Sequence, residues 1–432
     1  MPISATASTA GEDPGLLEAI RIVAALQARE HTAYFAGGCV RDSLLGIEPS
    51  DYDVATDANP EQIIQIFGPR NTLLVGAAFG VVCVHNRVRG ERVQVEVATF
   101  RSDGLYLDGR RPSSVRFASV EEDAARRDFT INGMYADPIA GRLIDLVGGE
   151  ADLKAGVIRA IGDPRQRIAE DKLRMIRAVR FAARFGYAIE SDTAAAIQAS
   201  AAALPVVSGE RLADELRKIC AASRVRWAFE QLHQLRLLDT LWPELAELWN
   251  VDASAAAECL ASIDALEPRD FAAVLGALAY ELAEHRGTPA GPTLEAFAGR
   301  LRLSNAEARR ATFSATSAQR LLDADRLPWS QVQPIAAAAD ADTALAVARS
   351  IASGRNLRIP ALEQIAIRRA ERSEQFDPPP LLGGEELKRL GLKPGPQFRG
   401  LLDQVRAMQL DGELTDREAA IDWLQRKTQA AE

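Results

Sequence analysis

The amino-acid pattern of this chain changes character near residue 156, and that change restricts the fold more than any other feature. Before it, an amphipathic helix is predicted over 16–30. Short runs of β-type composition follow at 32–36, 52–55, 81–88, 93–100 and 143–147. After it, the residues are rich in Ala, Leu and Arg with a period near 3.6, and strand signals nearly vanish. The chain is therefore predicted to be α+β, with an α/β N-terminal part and a long helical remainder.

Composition excludes several classes of protein. Of 432 residues, 47% are hydrophobic, which is too high for a largely disordered chain. Neither a membrane span nor an N-terminal signal peptide is predicted, because every apolar run is short or broken by charge. The four Cys are scattered without a CxxC pair, so neither a zinc site nor a disulfide framework is expected. A cytoplasmic protein is the prediction.

The charge balance bears on the kind of partner. The 51 Lys and Arg against 60 Asp and Glu give a net charge of −9, which disfavours a large basic surface for nucleic acid. Within 159–187, however, eight basic residues stand against three acidic ones. RNA binding through few phosphate contacts, and through the shape of a folded RNA, remains compatible with this distribution.

A glycine pair follows the first predicted strand, in the sequence GGCVRD at 37–42. Gly38 would let the backbone approach an anion closely, and Arg41 would add a guanidinium suited to phosphate. An ordinary turn would explain the glycines alone equally well.

Two aspartates flank Tyr52 at the start of the second predicted strand. On a strand, Asp51 and Asp53 would point to one face, where like charges repel unless a cation lies between them. Oxygen ligands without His or Cys suit Mg²⁺. A solvated Asp pair capping a turn is the alternative, but the upstream glycine pair favours metal-assisted phosphoryl or nucleotidyl transfer. Glu96 would complete the site if its strand neighbours the strand of the aspartates; otherwise it is a polar residue on a wet sheet face.

Two further segments carry arginines. In RRDFTINGM at 126–134, Arg127 would reach a ribose or phosphate with Asp128 orienting it, unless the pair simply lies on the surface. In EDKLRMIRAVRFAARF at 170–185, a mostly apolar helix carries polar residues every three positions. Buried arginines need partners. These are either acidic side chains of the same chain or a nucleotide, with the base edge read by Asp171 and Arg174 and the phosphates bound by Arg177 and Arg180.

With these segments in view, the chain resembles the bacterial class II tRNA nucleotidyltransferase and poly(A) polymerase family. The resemblance covers 33–219, and a second similar stretch is the tail at 383–415. Its motifs are GGCVRDSLLGIEPSDYDVAT, VEVATFR, YLDGRRPSSVRF, EEDAARRDFTINGM, LVGGEADLKAGVIRAIGDPRQRI, EDKLRMIRAVRFAARF and ERLADELRKI. Gly133 stands where the family usually has Ala. The stretch 227–377 carries no recognisable motif.

The resemblance implies a nucleotidyltransferase head with a palm-like α/β fold over 1–150. A helical neck (151–222), body (223–376) and tail (377–432) would follow, the tail contacting tRNA. It implies Mg²⁺ held by Asp51 and Asp53, with Glu96 as a further catalytic carboxylate. It also implies nucleotide binding by Gly38, Arg41, Arg127, Asp171, Arg174, Arg177 and Arg180.

Within that family, addition of CCA to the tRNA 3′ end from CTP and ATP is favoured. The loop YLDGRRP at 106–112 resembles the loop of CCA- and A-adding enzymes, and the acidic charge is unlike that of poly(A) polymerases with basic extensions. The segment KPGP at 393–396, just before a predicted helix, suits a backbone phosphate. An A-adding enzyme or a poly(A) polymerase stays open as the alternative. So do an inactive RNA-binding protein and a small-molecule nucleotidyltransferase, and the oligomeric state is undetermined.

Overall fold

The computed structural model describes residues 13–75, 80–103, 115–371, 376–389 and 395–429. The chain forms two compact units, Met1–Leu241 and Trp242–Glu432. None of the helices in the described ranges is both long and apolar enough to span a membrane. The four cysteines are free and buried.

The first unit contains all the strands of the described residues. In chain order they are β1 (Ala33–Ala36), β2 (Val54–Thr56), β3 (Thr72–Leu74), β4 (Val81–Val88), β5 (Glu91–Thr99), β6 (Arg101–Asp103), β7 (Val115–Phe117), β8 (Tyr135–Asp137), β9 (Arg142–Ile144), β10 (Val157–Ile158) and β11 (Ala188–Ile189). Seven of them form one mixed sheet in the order β3-β4-β5-β2-β1-β8-β9. The strands β6 and β7 pair separately, as do β10 and β11.

The same unit carries the first half of the helices. They are α1 (Pro14–Gln27), α2 (Gly38–Leu44), α3 (Pro60–Phe67), α4 (Val120–Ala125), α5 (Gly149–Ala155), α6 (Pro164–Glu170), α7 (Leu173–Phe185), α8 (Ser191–Ser200), α9 (Gly209–Cys220), α10 (Val225–Gln234) and α11 (Leu238–Leu241). Two 3₁₀ segments lie at Thr130–Asn132 and Ala201–Val206. The α+β class is confirmed: a mixed-sheet head is followed by helices.

Strand pairing brings two predicted site segments together. The strand β2 runs parallel to β5, with Val54 opposite Val97. On β5, Val95 and Val97 are buried whereas Gln94 and Glu96 are exposed, as the alternation predicted. The residues immediately before this matched pair are Asp53 and Glu96, so the two carboxylates lie on adjacent strand segments.

Two details of the sequence prediction were wrong. Asp51 and Asp53 precede β2 rather than lying on it. The backbone carbonyl of Asp53 nevertheless accepts a hydrogen bond from Ala36 N of β1 at 3.0 Å. Strand structure also persists after residue 156, in the two-residue strands β10 and β11. Such short pairs leave no periodic signal that a sequence pattern could show.

The residues that surround Gly133 explain why glycine stands where the family usually has alanine. A Cβ added at Gly133 would lie 2.8 Å from Val147 Cγ2 and 2.9 Å from Ile161 Cδ1. Both distances are shorter than van der Waals contact allows. The side chains of Val147 and Ile161 therefore occupy the space that an alanine methyl group would need.

Helix α7 is amphipathic in an unusual sense, because its polar stripe is made of arginines. Its apolar residues Met175, Ile176 and Val179 are fully buried, each stabilising the fold by roughly 1.5–3 kcal/mol. The helix ends at Gly186, whose φ of 72° is the left-handed conformation that closes a helix. Burial of the apolar side fixes the rotation of α7 and hence the direction in which its arginines point.

All the regular secondary structure in the described residues of the second unit is helical. Its helices are α12 (Pro243–Val251), α13 (Ala253–Asp264), α14 (Phe271–Arg286), α15 (Ala290–Leu301), α16 (Asn305–Leu322), α17 (Trp329–Ala336), α18 (Ala341–Gly354), α19 (Pro360–Glu371), α20 (Gly384–Arg389), α21 (Pro396–Leu410) and α22 (Arg417–Gln429). Helix α14 is buried around most of its girth and packs against α13, α16 and α18. A separate apolar cluster, which includes Leu387, Val405 and Leu424, joins the last three helices.

Candidate active site

A polar cleft of about 850 Å³ in the first unit collects nearly all the predicted site residues. The predicted site residues that line this cleft are Gly38, Arg41, Asp51, Asp53, Arg127, Asp171, Arg174, Arg177 and Arg180. Glu96 is the exception, since it stands beside Asp53 on β5 without being part of the lining. The cleft thus has two sides. Its acidic corner consists of Asp51 and Asp53, with Glu96 beside them, and its arginine wall consists of Arg41, Arg127, Arg177 and Arg180.

The acidic corner is crowded with negative charge. Asp53 is exposed to the open cleft, yet the surrounding protein raises its pKa to about 6, because the cleft walls partly desolvate the carboxylate and because Asp51 and Glu96 add like charge. Arg127 opposes this effect but does not cancel it. Three carboxylates with too little cationic compensation form an oxygen-rich donor set that fits a hard divalent cation. Asp51 and Asp53 open onto the cleft and are the residues that could hold such a cation.

A second group of possible metal ligands, Glu258, Glu281 and His285, lies in the second unit. Its central carboxylate, Glu281, is fully buried and accepts hydrogen bonds from Ser262 Oγ at 2.6 Å and Arg355 Nη2 at 2.5 Å. The guanidinium of Arg355 therefore already supplies the cation for this group. We interpret it as a structural ion pair that ties α13, α14 and α18 together.

Arg41 is held from three sides. Its Nε donates to Asp42 Oδ1 at 2.7 Å and its Nη1 to Asn132 Oδ1 at 2.5 Å. The guanidinium also lies 4.8 Å from the ring centroid of Phe185 and 5.3 Å from that of Phe181. The side chain is buried, and desolvation lowers the pKa of Arg41 although Asp42 opposes this. These contacts fix the direction in which the remaining N–H groups point.

Arg127 is oriented by a residue that the sequence prediction did not name. Asp128 was expected to orient it, and that expectation was wrong. Arg127 Nη2 lies 3.1 Å from Asp123 Oδ2, one helical turn back on α4, and Arg127 Nε lies 3.2 Å from the same oxygen. Its Nη1 approaches Gly37 so closely that a Cβ there would lie 2.9 Å away. The left-handed φ of 74° at Gly37 and this contact both require glycine.

The arginines of α7 have partners within the chain, which the sequence offered as one of two explanations. Arg177 donates to Asp128 Oδ2 from Nε at 2.9 Å and from Nη2 at 2.5 Å. Arg180 Nε lies 2.5 Å from Glu215 Oε2, and burial lowers the pKa of Arg180 to about 10 despite that partner. Both side chains nevertheless line the cleft. Their role toward phosphates remains a prediction.

The predicted base-reading pair lies at the start of α7. Arg174 donates to Arg167 O at 2.7 Å, Glu170 Oε2 at 2.8 Å and Arg126 O at 2.8 Å. Asp171 was expected on the helix, but it precedes α7 in an extended conformation because its side chain caps the helix, accepting from Leu173 N at 3.0 Å. Arg211 Nη2 holds the same carboxylate at 2.7 Å. A fixed donor and a fixed acceptor thus both line the cleft.

Several cleft residues were not singled out as site residues from the sequence. They are Asp42, Asn132, Arg184 and Arg211, together with Ser50, Arg101, Arg126 and Lys218. A signal existed for Arg184, which continues the arginine stripe of α7 by one turn. Asn132 showed no periodicity or charge that would mark it, and its bond to Arg41 joins residues 91 positions apart.

Asp128 makes the stability of this region sensitive to acid. Burial alone would raise its pKa, but the charge of Arg177 and the hydrogen bonds from Asn132 and Arg177 outweigh burial and bring the pKa of Asp128 to about 2. Because the pKa is lower in the fold than in the unfolded chain, the stabilisation is complete above pH 4. It is lost as the pH falls from 4 toward 2.

We therefore predict that Asp128→Asn destabilises the first unit by about 2 kcal/mol near pH 6. The difference from the parent protein should narrow steadily below pH 4, since the parent then loses the same contribution. Thermal unfolding of both proteins at several pH values measures this. A difference that stays constant down to pH 3 would show that the Asp128 charge does not stabilise the fold.

Two domain families and several curated proteins resemble parts of this chain. Residues 33–159 match the model of the poly A polymerase head domain, and residues 186–248 match a probable RNA- and SrmB-binding site of polymerase A. The CCA-adding enzyme of Geobacillus thermodenitrificans is 42% identical over 236 residues, which cover 54% of this chain and 56% of the relative. The poly(A) polymerase I of Salmonella typhi is 38% identical over 251 residues, covering 56% of this chain and 53% of the relative.

Residues 33–159 therefore form a head domain of the poly A polymerase type. The matched segment spans about half the length of the curated relatives, 56% and 53%. A solved structure extends the likeness further: the Bacillus stearothermophilus CCA-adding enzyme in complex with CTP superposes with a TM-score of 0.75 at 27% identity. That superposition covers 97% of this chain and 99% of the other chain.

Proposed function

We propose that this protein is a tRNA nucleotidyltransferase that adds CCA to the 3′ end of tRNA from CTP and ATP, without a nucleic-acid template. Mg²⁺ would be its cofactor and the cytoplasm its compartment. The observation that carries the proposal is the cleft in which Asp51 and Asp53 face a wall of arginines. The likeness over nearly the whole chain to a CCA-adding enzyme crystallised with CTP supports this substrate class.

The reaction follows from the two sides of the cleft. The terminal 3′ oxygen of the tRNA attacks the α-phosphorus of the nucleotide, and the bond to the β-phosphate oxygen breaks to release pyrophosphate. The hydroxyl proton passes to a carboxylate of the acidic corner, Asp53 or Glu96. Asp51 and Asp53 would hold Mg²⁺, which when bound activates the hydroxyl and neutralises charge on the departing pyrophosphate.

The arginine wall binds and orients the nucleotide. Arg41, Arg127, Arg177 and Arg180 line the cleft and present guanidinium groups that suit triphosphate oxygens. Asp171 and Arg174 would read the base edge, because together they offer the cleft an acceptor and a donor, which can match cytosine or adenine. Their partners Arg211 and Glu170 fix both side chains before the nucleotide arrives. Such preorganisation reduces the entropy lost on binding.

The choice between CCA addition, A addition and poly(A) synthesis turns on the net charge of the chain. A CCA-adding enzyme and a poly(A) polymerase each match about half of the chain at similar identity, so these matches do not separate the two activities. The net charge of −9 favours an enzyme that docks a particular folded RNA over one that grips any RNA tail. The loop 106–112 and residues 393–394 of the KPGP segment, which also bear on the choice, lie outside the described residues. A-adding and poly(A) activities remain the alternatives.

Two other classes predict different outcomes in one assay. An inactive RNA-binding protein would incorporate no labelled nucleotide from CTP or ATP. The carboxylates of the acidic corner favour a catalytically active protein instead. A small-molecule nucleotidyltransferase would label small alcohols. We expect labelled nucleotide to enter 3′-trimmed tRNA and no small alcohol. Labelling of the alcohol, or of neither acceptor, would contradict the proposed function.

A further inference from the structure

Asn132 occupies a position in the cleft that no other type of side chain of its size could fill. Its amide oxygen accepts from Arg41 Nη1 at 2.5 Å, and its amide nitrogen donates to Asp128 Oδ1 at 3.1 Å. Arg41 can only donate and the ionised Asp128 can only accept, so the chemistry of the partners fixes the orientation of the amide. The side chain is buried, 7% exposed, between these two charged groups.

Asn132 is the link between two arginines on different elements. Arg41 lies on α2, where Asp42 anchors the opposite edge of its guanidinium. Asp128 holds Arg177 of α7 with its second oxygen. A continuous series of charged hydrogen bonds therefore runs from Arg41 through Asn132 and Asp128 to Arg177. Both arginines line the cleft.

The series leaves donors available for a ligand. Asp42 and Asn132 do not exhaust the N–H groups of the Arg41 guanidinium. The bare Cα of Gly38 lies beside them, since a Cβ there would be 3.7 Å from Arg41 Nη2. Rotation of Arg41 away from this position would sacrifice the bond to Asn132 and the aromatic contacts of Phe181 and Phe185 together.

We propose that Asn132 is a positioning residue that couples Arg41 to the Asp128–Arg177 pair, so that both arginines present one rigid surface to the triphosphate. This inference rests on the proposed function. Asn132 itself contacts the arginine and the aspartate, and acts on the nucleotide only through them. A residue with this role should affect nucleotide affinity more than the rate of the bound complex, because the acidic corner is untouched.

The first test replaces the amide with a carboxylate. In Asn132→Asp an oxygen replaces the nitrogen that faces Asp128, so like charges oppose each other at hydrogen-bond distance and the positive field around Arg41 weakens. We expect KM for CTP and ATP to rise about tenfold or more, with a much smaller change in kcat. Thermal unfolding is measured alongside.

A matched control exists on β4. Asn86 Nδ2 donates to the buried carboxylate of Glu18 at 3.0 Å, so Asn86→Asp opposes two carboxylates in the same way, away from the cleft lining. It should lose some stability, less than Asn132→Asp because Asn86 itself is exposed, while KM stays within about twofold of the parent value. An equal rise in KM in both variants would mean that lost stability, and not the position of Arg41, governs affinity.

A double-mutant cycle tests the route of action. Asn132→Leu removes both hydrogen bonds without adding charge and should raise KM about tenfold in the parent protein. In an Arg41→Ala background the same change should add less than about twofold, because the residue through which it acts is gone. The same factor in both backgrounds would overturn the proposal, as would an unchanged KM for Asn132→Leu. If the leucine variant does not fold, Asn132→Asp serves in the same cycle with the same criteria.

The parent protein in the same assay separates the two claims. Absence of nucleotide addition to trimmed tRNA by the parent protein counts against the proposed function. Normal addition by the parent, with KM unaltered at position 132, counts against Asn132 alone.

Discussion

Asp53→Asn should reduce nucleotide addition by about a thousandfold or more while leaving the first unit folded. The carboxylate opens onto the cleft beside Asp51, and its charge is what a divalent cation would neutralise. Loss of a metal ligand removes several kcal/mol of transition-state stabilisation, and each 1.4 kcal/mol is about tenfold in rate. Single-turnover incorporation into trimmed tRNA measures the effect.

The same variant should be as stable as the parent protein or more stable when chelator is present. The pKa of Asp53 is higher in the fold than in the unfolded chain, so its ionisation at neutral pH costs folding free energy. Asparagine removes that cost. The gain should be present at pH 7 and should disappear as the pH falls to 4, where the parent carboxyl is protonated. Thermal unfolding across this range checks the sign.

Asp57→Asn is the matched control for this experiment. Asp57 follows β2 and bonds to Thr32 N at 3.0 Å and to His31 Nδ1 at 3.1 Å, outside the cleft lining. Its replacement should leave nucleotide addition close to normal. Added Mg²⁺ should raise the unfolding temperature of the parent and of Asp57→Asn, but not of Asp53→Asn. Near-normal turnover in Asp53→Asn would refute the assignment of the acidic corner.

Arg174→Ala is predicted to damage the choice of nucleotide more than the chemistry. Three acceptors hold the Arg174 guanidinium, which is 9% exposed, so its position is fixed before a nucleotide binds. A site built to hydrogen-bond a particular base edge rejects the wrong base because its buried groups are then unpaired. Loss of Arg174 should reduce the preference for CTP and ATP over UTP and GTP by about a hundredfold.

The readout should be a ratio of kcat/KM values for two nucleotides with one enzyme preparation. The ratio is unaffected by the fraction of folded enzyme, which matters because Arg174→Ala leaves Glu170 without this partner. Arg184→Gln is the control on the same helix. It removes the 3.1 Å bond to Asp42 at the other end of the cleft and should alter all four nucleotides alike. Retained selectivity in Arg174→Ala would refute the base-reading role.

Local patterns of sequence predicted five of the seven strands in the main sheet and missed β3 and β8. The alternation of β5 predicted the exposed face of Glu96, and its pairing with β2 then placed Glu96 near Asp53. The spacing of four between Asp123 and Arg127 was also visible, and it could have identified the true partner of Arg127. The adjacent Asp128 pairs with Arg177 instead.

Long-range partners were beyond the reach of sequence patterns. The sequence required partners for the arginines of α7 but did not identify them, because Asp128 and Glu215 reach Arg177 and Arg180 only through the packing of α7 with α9 and the head. The bond between Arg41 and Asn132 joins residues 91 positions apart. Periodicity describes which face of an element is buried, and it contains no information on which side chain meets that face.

The central claim is tested most directly by the products formed on tRNA that lacks its 3′ CCA. CTP alone should extend this tRNA by CC and stop, and CTP with ATP should give CCA and stop. ATP alone should add nothing to it, but should add one A to tRNA that already ends in CC. Growth of an open-ended tail from ATP alone would identify a poly(A) polymerase. Addition of A to the CC end without any addition of C would identify an A-adding enzyme, and either result would contradict the proposed function.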